Sequence, residues 1–115
     1  MDPVRLARLR AMIEAGQEHA FYLWGPWRRL RAKVLEMDHN ECQVCAARGR
    51  YSRAEIVHHV KTVRERPDLA LSVIDPETGE RQLIAVCKRC HEEAHPEALR
   101  AAARRAAFST VERWD

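Results

Sequence analysis

Cys87-Lys88-Arg89-Cys90-His91-Glu92-Glu93-Ala94-His95 decides how the rest of the chain is interpreted, because it gathers two thiols and two imidazoles in one short stretch. Its cysteines have the spacing at which a tight turn presents both sulfurs to one ion. A second pair with this spacing, Cys42-Gln43-Val44-Cys45, lies upstream. Four thiolates in two such pairs suit a closed tetrahedral zinc site. The sequence therefore predicts a structural zinc ion with the ligands Cys42, Cys45, Cys87 and Cys90.

The histidines of the sequence predict a second metal site. His91 and His95 stand four residues apart and would share one face of a helix, where they are available to a different ion. His58 and His59 fall within residues 54–61, where β-branched and polar residues alternate as in a short strand. Neighbouring strand residues point to opposite faces, so these two histidines are expected to do different jobs.

The segment between the cysteine pairs is the part that a simple zinc module does not explain. Residues 46–86 form a longer connection than the roughly 15–20 residues usual between such pairs. A second strand is expected over residues 81–86, after a turn at 75–80, and residues 69–74 are expected to be extended. A histidine strand, a turn, a second strand and a helix from Lys88 predict a ββα arrangement built around a metal.

Length and composition predict one domain with a modest core, for which a structural metal is a common supplement. No stretch of 18 apolar residues and no secretory signal are found, so we expect no membrane partner and a cytoplasmic location. Thiols stay reduced there, which favours metal binding over the alternative of two disulfides.

The flanking segments are predicted to be helical. Residues 1–20 form an N-terminal helical extension, with Asp2 as its cap and Pro3 in its first turn. Residues 21–115 form the main domain, in which Trp27 opens an apolar helical stripe. Pro96 is expected to interrupt the helix that follows the second cysteine pair.

The net charge of +3 is small, but basic residues cluster in two places. Such clusters can follow a phosphate backbone, or they can be solvated helix faces. The nearby aromatic residues of 21–27 are expected to be buried core residues rather than platforms for nucleic-acid bases. The clusters consist of Arg28, Arg29, Arg31 and Lys33, and of Arg100, Arg104 and Arg105.

Taken together, these segments resemble the HNH endonucleases, the ββα-metal (His-Me finger) nucleases, and most of all their short zinc-containing members from phages and prophages. The resemblance covers roughly residues 21–96, and its combined motif is more specific than either cysteine pair alone. The matching stretches are 27–31, 34–35, 42–45, 54–60, 64–69, 87–91 and His95.

The resemblance implies a role for each matching residue. His59 is the general base, and His58 and His91 are ligands of the catalytic metal. His95 is a further ligand in some members. One position departs from the pattern, because Gln82 stands where the family usually has an asparagine that pins the ββα loop and helps to orient the base.

The activity implied is that of a metal-dependent DNA endonuclease that hydrolyses phosphodiester bonds, by nicking or by double-strand cleavage. Its cofactors would be the structural Zn²⁺ and a catalytic divalent ion, for which imidazole ligands fit Mg²⁺, Mn²⁺, Ni²⁺ or Zn²⁺. Resemblance to phage enzymes suggests terminase and portal proteins as partners in genome packaging. Contacts to DNA phosphates are expected from Arg28, Arg29, Lys61, Arg64 and Arg66.

Two other hypotheses belong to different classes of protein. A zinc-stabilised, non-catalytic nucleic-acid-binding module would keep the cysteines and the basic helices, and Gln82 is the best support for it. A scaffolding partner of a packaging complex would bind no DNA. Neither alternative requires the combination of His58, His59 and His91.

Overall fold

The structure, a computed structural model, describes the backbone of residues 1–114 and the side chains of residues 1–107. Its helices are α1 (Pro3–Glu14), α2 (Gly25–Met37), α3 (Gln43–Ala47), α4 (Lys88–Glu93) and α5 (Pro96–Trp114), and its strands are β1 (Ile56–His59) and β2 (Leu83–Val86). Short 3₁₀ helices span Glu18–Leu23 and Pro67–Leu69. The small α+β fold expected from the sequence is confirmed, with β1, β2 and α4 forming the ββα unit.

The two strands pair antiparallel, so that His58 lies opposite Ile84 and His59 lies opposite Leu83. Alternate residues of a strand face opposite sides of the sheet. Ile84 and Val86 therefore pack on one side, whereas Leu83 packs on the other. The sheet separates two small cores, and the histidine pair sends one side chain toward each.

The two cores differ in what they support. The first, the cysteine-side core, joins α3, α4 and α5 to the sheet through Cys42, Val44, Ile84, Val86, Cys90, Leu99, Ala102, Ala103 and Ala106. The second, the aromatic-side core, joins α1 and α2 to the sheet through Leu9, Phe21, Trp27, Val34, Val57, Val63, Ala70 and Leu83. The four cysteines are thus packed on the opposite side of the sheet from the aromatic residues around His59.

Helix α1 begins where the sequence predicts. The Asp2 carboxylate accepts a hydrogen bond from the backbone N–H of Arg5 at 2.9 Å, and Pro3 occupies the first turn. The helix ends before Gly16, whose φ of +70° is the left-handed conformation that glycine tolerates. Leu9 is fully buried in the aromatic-side core, so α1 packs onto the domain. The division of the chain at residue 20 stays a prediction.

Residues 60–82, between the strands, fold differently from expectation in one place. The prediction that residues 69–74 are extended is wrong for residues 69–71, because Pro67 starts a 3₁₀ helix that continues into a turn, whereas Ile74 forms an antiparallel bridge with Arg81. This turn carries the carbonyl of Ala70 back toward β1. The turn expected over 75–80 is confirmed, since the N–H of Asp75 donates to the carbonyl of Glu80 at 2.8 Å and Gly79 has a φ of +74°.

Helix α5 starts afresh at Pro96, as predicted, because Ala94 is extended with ψ of 137° and ends α4. Its apolar residues face the cysteine-side core, and Arg100, Arg104 and Arg105 lie on its exposed side. In residues 1–114 no helix combines the length and the apolar character needed to cross a bilayer.

A buried ion pair locks the end of α2 to β2. Both carboxylate oxygens of Asp38 accept hydrogen bonds from the Arg81 guanidinium, at 3.1 and 2.9 Å, and one also accepts from the backbone N–H of Ala85 at 3.0 Å. Arg81 Nε donates to the carbonyl of Leu83 at 3.0 Å. Both side chains are almost completely buried, with exposures of 0% and 2%. The pair fixes the strand that leads into the second cysteine turn.

Replacing Asp38 with alanine is expected to lower the free energy of unfolding by about 3–5 kcal/mol, because it leaves a buried guanidinium without its carboxylate. Urea unfolding of the metal-loaded protein, followed by circular dichroism, measures the loss. Glu36→Ala is the control, since Glu36 is an exposed acidic residue on the same helix. Equal midpoints for the two variants would contradict the role given to Asp38.

Candidate active site and metal centre

The four cysteines come together at the starts of two helices. Cys42 caps the N-terminus of α3, where its sulfur accepts the N–H of Cys45 at 3.5 Å. Cys87 caps α4 in the same way and accepts the N–H of Cys90 at 3.4 Å. All four sulfurs lie within 4.8 Å of one another. The two cysteine turns are therefore placed to bind one metal ion.

The chemistry of this cluster fits a metal that prefers thiolates. All four cysteines are free thiols rather than disulfides. Burial raises the pKa of Cys87, but hydrogen bonds, foremost that from the Cys90 backbone, outweigh burial and lower the pKa to about 6. Ser52 Oγ lies 3.2 Å from the sulfur of Cys45 and donates to it. Cys87 thus favours the deprotonated form that a metal ligand needs, whereas burial raises the pKa of Cys42 and of Cys90 in the absence of a metal.

A separate cavity of about 450 Å³ opens beside the histidine strand. It lies between α2, β1, the start of the 60–82 segment and α4. Its lining residues are Tyr22, Trp27, Arg31, Ile56, Val57, His58, His59, Thr62, Val63 and His91. Three of the four histidines singled out in the sequence therefore share one cavity.

His59 is held in one orientation. Its ring stacks on Trp27, with 4.7 Å between the ring centres, and its Nε2 lies 2.9 Å from the carbonyl oxygen of Ala70. A carbonyl can only accept, so Nε2 carries the hydrogen, and in the neutral ring Nδ1 is the nitrogen able to take a proton. Burial lowers the pKa of His59, and the hydrogen bond to Ala70 raises it. The effect of burial is the larger one, so the pKa lies below its usual value. His59 is accordingly neutral at pH 7 and can act as a base.

His58 faces the other side of the strand and meets His91 on α4. The centres of the two rings are 5.7 Å apart. Burial, the charge of His91 and the charge of His59 together lower the pKa of His58 to about 4. An imidazole without its proton has a free lone pair, which is the form that binds a metal. The pair fits the role of metal ligands implied by the resemblance.

His95 is not brought to this cavity. Helix α4 ends at Glu93 and Ala94 is extended, so the prediction that His91 and His95 share a helical face is wrong. His95 precedes α5, where its Nδ1 accepts the N–H of Glu97 at 3.3 Å. It lines a different cavity, beside the cysteines. The restart at Pro96 is the physical reason that His95 is separated from His58 and His91.

Gln82 lies under the cavity rather than in it. Its side chain is almost fully buried and makes two hydrogen bonds to the backbone of Lys61. Its Oε1 accepts the Lys61 N–H at 3.0 Å, and its Nε2 donates to the Lys61 carbonyl at 2.7 Å. The amide therefore pins the chain just after His59. Both of these hydrogen bonds go to Lys61, and neither goes to His59.

The cations expected to contact DNA fall into two groups. Lys61 pairs with the buried Asp75 at 2.5 Å, Arg64 pairs with Glu18, and Arg66 pairs with Asp68 and Glu77. These carboxylates lie in distant parts of the sequence or in the following turn. They compensate the positive charges of the three side chains that were expected to contact DNA phosphates. Arg28 and Arg29 lie exposed on α2, with no ion pair to a described carboxylate.

Tyr22 and Arg31 are among the residues of the cavity wall that were not predicted to lie there. Arg31 was noted only as part of a basic cluster, and Tyr22 only as part of an aromatic segment. Arg31 follows Trp27 by four residues, so the two share a face of α2. Trp27 was already expected to be buried, so this spacing could have indicated that Arg31 lies beside the buried Trp27.

A histidine strand, a second strand and a helix that begins at a metal-binding cysteine turn define the class of ββα-metal proteins. No family model matches the sequence, and no curated protein matches it. Among solved structures, the chain is similar to the HNH endonuclease of the deep-sea thermophilic bacteriophage GVE2, crystallised with manganese ion. The TM-score is 0.59 and the identity 30%, over 76% of this chain and 87% of that one. The chain belongs to the HNH endonuclease family.

Proposed function

We propose that this protein is a metal-dependent endonuclease that hydrolyses phosphodiester bonds of duplex DNA. The observation that carries the proposal is the arrangement of His59. Its Nε2 donates a hydrogen bond to the Ala70 carbonyl, and its ring lines the same cavity as His58 and His91. A base with a free Nδ1 beside two available metal ligands is what phosphodiester hydrolysis requires.

Different residues of the chain have different roles in this reaction. His59 accepts a proton from a water molecule at Nδ1, and the water oxygen attacks the phosphorus. The bond between phosphorus and the 3′ oxygen breaks, the 3′ oxygen takes a proton from solvent, and the products are a 5′-phosphate and a 3′-hydroxyl. Gln82 holds the backbone beside His59 in register through Lys61.

His58 and His91 would hold the divalent ion, which supplies charge neutralisation at the phosphate and at the leaving oxygen. Two protein ligands leave positions for water and for the substrate. Among the described residues, three or more metal-ligating side chains gather only at the cysteines, so the ion in the cavity would be exchangeable. The cysteine cluster would hold a structural zinc ion, since four thiolates are a typical zinc set.

The test is cleavage of supercoiled plasmid with added Mg²⁺, Mn²⁺, Ni²⁺ or Zn²⁺. Nicked or linear product that needs the ion and stops with EDTA is expected. His91→Ala should raise the metal concentration for half-maximal cleavage by at least about tenfold, because a ligand is lost. His95→Ala should leave it unchanged, since His95 lies in a different cavity.

Two outcomes would count against the proposal. A zinc-loaded, folded protein that cleaves nothing with any of these ions would favour the non-catalytic binding module. Equal metal dependence of the His91 and His95 variants would remove His91 from the metal site.

We extend the proposal to phage genome packaging in the host cytoplasm, with terminase and portal proteins as partners. The support is that the similar solved structure comes from a bacteriophage. Co-purification of the tagged protein with a co-expressed phage large terminase subunit and portal protein tests this, and failure to associate with either at micromolar concentrations would overturn it.

A further inference from the structure

Arg31 is the one lysine or arginine among the described residues that line the catalytic cavity. The rest of the wall consists of histidines, aromatic and aliphatic side chains and Thr62. A phosphodiester carries a negative charge that must be bound in such a place. Arg31 is the side chain there that brings a permanent positive charge.

The guanidinium of Arg31 is held at the edge of the histidine strand. Its Nη2 donates to the carbonyl oxygen of Glu55 at 2.6 Å, immediately before β1 begins. Helix α2 places it one turn after Trp27, the residue on which His59 stacks. One of five N–H donors is used by Glu55, so the remaining donors are available to another acceptor.

Arg31 also differs from the neighbouring cations in its partners. Lys61, Arg64 and Arg66 each pair with a carboxylate. Arg31 makes no ion pair with a carboxylate among the described side chains, and its one hydrogen bond there is to a backbone carbonyl. A carbonyl orients a guanidinium without neutralising it. The cavity therefore holds a fixed positive charge that no carboxylate among the side chains of residues 1–107 balances.

We propose that Arg31 binds the scissile phosphate and stabilises the charge that builds on it, which makes it a further catalytic residue. This inference rests on the proposed endonuclease function. The guanidinium donates hydrogen bonds to a non-bridging phosphate oxygen, an interaction stronger than a neutral hydrogen bond because both partners are charged. Because the charge on the phosphate oxygens grows as water attacks, the loss should fall mainly on kcat.

The first experiment compares Arg31→Ala and Arg31→Lys with Arg10→Met, which alters an exposed arginine on α1. Arg31→Ala is expected to lower kcat for plasmid cleavage by about 10²–10³-fold, the loss typical of one charge-stabilising donor. Arg31→Lys should recover part of the loss, since it restores the charge but not the planar fork. Added guanidinium should restore part of the activity of Arg31→Ala in a saturable way, while Arg10→Met behaves as wild type.

A second measurement does not depend on cleavage. In nitrogen-15 NMR spectra of the zinc-loaded protein, the Nε–Hε signal of Arg31, assigned from its absence in Arg31→Lys, should shift on addition of a short DNA duplex without divalent ion. The signal of Arg10 should stay in place. If the Arg31 signal shifts although the protein cleaves no DNA, the contact between Arg31 and phosphate is supported and the endonuclease proposal fails.

Two results would overturn the assignment. In the first, wild type cleaves DNA, Arg31→Ala matches Arg10→Met, and the Arg31 signal does not move. In the second, Arg31→Ala loses activity only in proportion to a lower melting temperature and guanidinium restores nothing, which would mean that Arg31 merely fastens α2 to Glu55.

Discussion

Replacing His59 with alanine is expected to lower the rate of DNA cleavage by about 10²–10⁴-fold, the usual contribution of a positioned general base. The reason is the orientation of the ring, since the bond from Nε2 to Ala70 leaves Nδ1 as the proton acceptor. Single-turnover cleavage of plasmid at saturating metal isolates the chemical step. Binding of DNA without divalent ion should change little, because the base acts on water rather than on the phosphate.

The matched control is His19→Ala, because His19 is an exposed histidine in the preceding 3₁₀ helix. His59 is 7% exposed and stacked on Trp27, so its removal also leaves a gap in the aromatic-side core. Zinc content and melting temperature separate that structural effect from the chemical one. Free imidazole, which fits the space vacated, should restore part of the lost rate. A His59→Ala protein that cleaves at the rate of His19→Ala would show that another group activates the water.

The parts of the fold that follow from short-range rules could be predicted from sequence. The cysteine spacings set the two metal-binding turns, and strand alternation separated His58 from His59. Prolines marked helix starts at Pro3 and Pro96. Each of these features depends on residues close together in the chain, for which one backbone geometry is strongly preferred.

The partners of the cations could not be predicted, because they come from distant segments. Arg64 meets Glu18 and Lys61 meets Asp75 only once the 60–82 segment has folded back. The same folding brings the Ala70 carbonyl to His59, a contact that no local pattern encodes. His95 was misplaced for a local reason, since one extended residue at Ala94 breaks the helical spacing on which the expectation rested.

Gln82 shows how the resemblance and the geometry complement each other. The family pattern has an asparagine in this place, and the longer glutamine raised the question of whether the loop would still be pinned. Here the glutamine amide reaches both backbone groups of Lys61, at 3.0 and 2.7 Å. The glutamine amide thus fixes the backbone two residues after His59, and its effect on activity stays a prediction.

Breaking the cysteine cluster is expected to unfold the domain. Apparent free energies of structural zinc binding are about 10–16 kcal/mol, whereas domains of this kind are stable by only about 5–15 kcal/mol. Cys42 and Cys90 are also part of the cysteine-side core, so loss of a metal bound there would loosen the packing of α3 and α5 on the sheet. Cys45→Ser should therefore lack helical circular dichroism at 25 °C and should bind less than one equivalent of zinc per chain.

Ser52→Ala is the graded control, because it removes only the hydroxyl that lies 3.2 Å from the Cys45 sulfur. It should keep one zinc ion and lose about 1.5–3 kcal/mol of stability, the cost of a hydrogen bond to a charged group. Release of zinc to a chromogenic chelator should run in parallel with loss of helix in the wild-type protein. A metal-free chain that keeps its helical signal and its melting temperature would mean that the two cores hold the sheet by themselves. The four thiols would then have to serve a purpose other than folding.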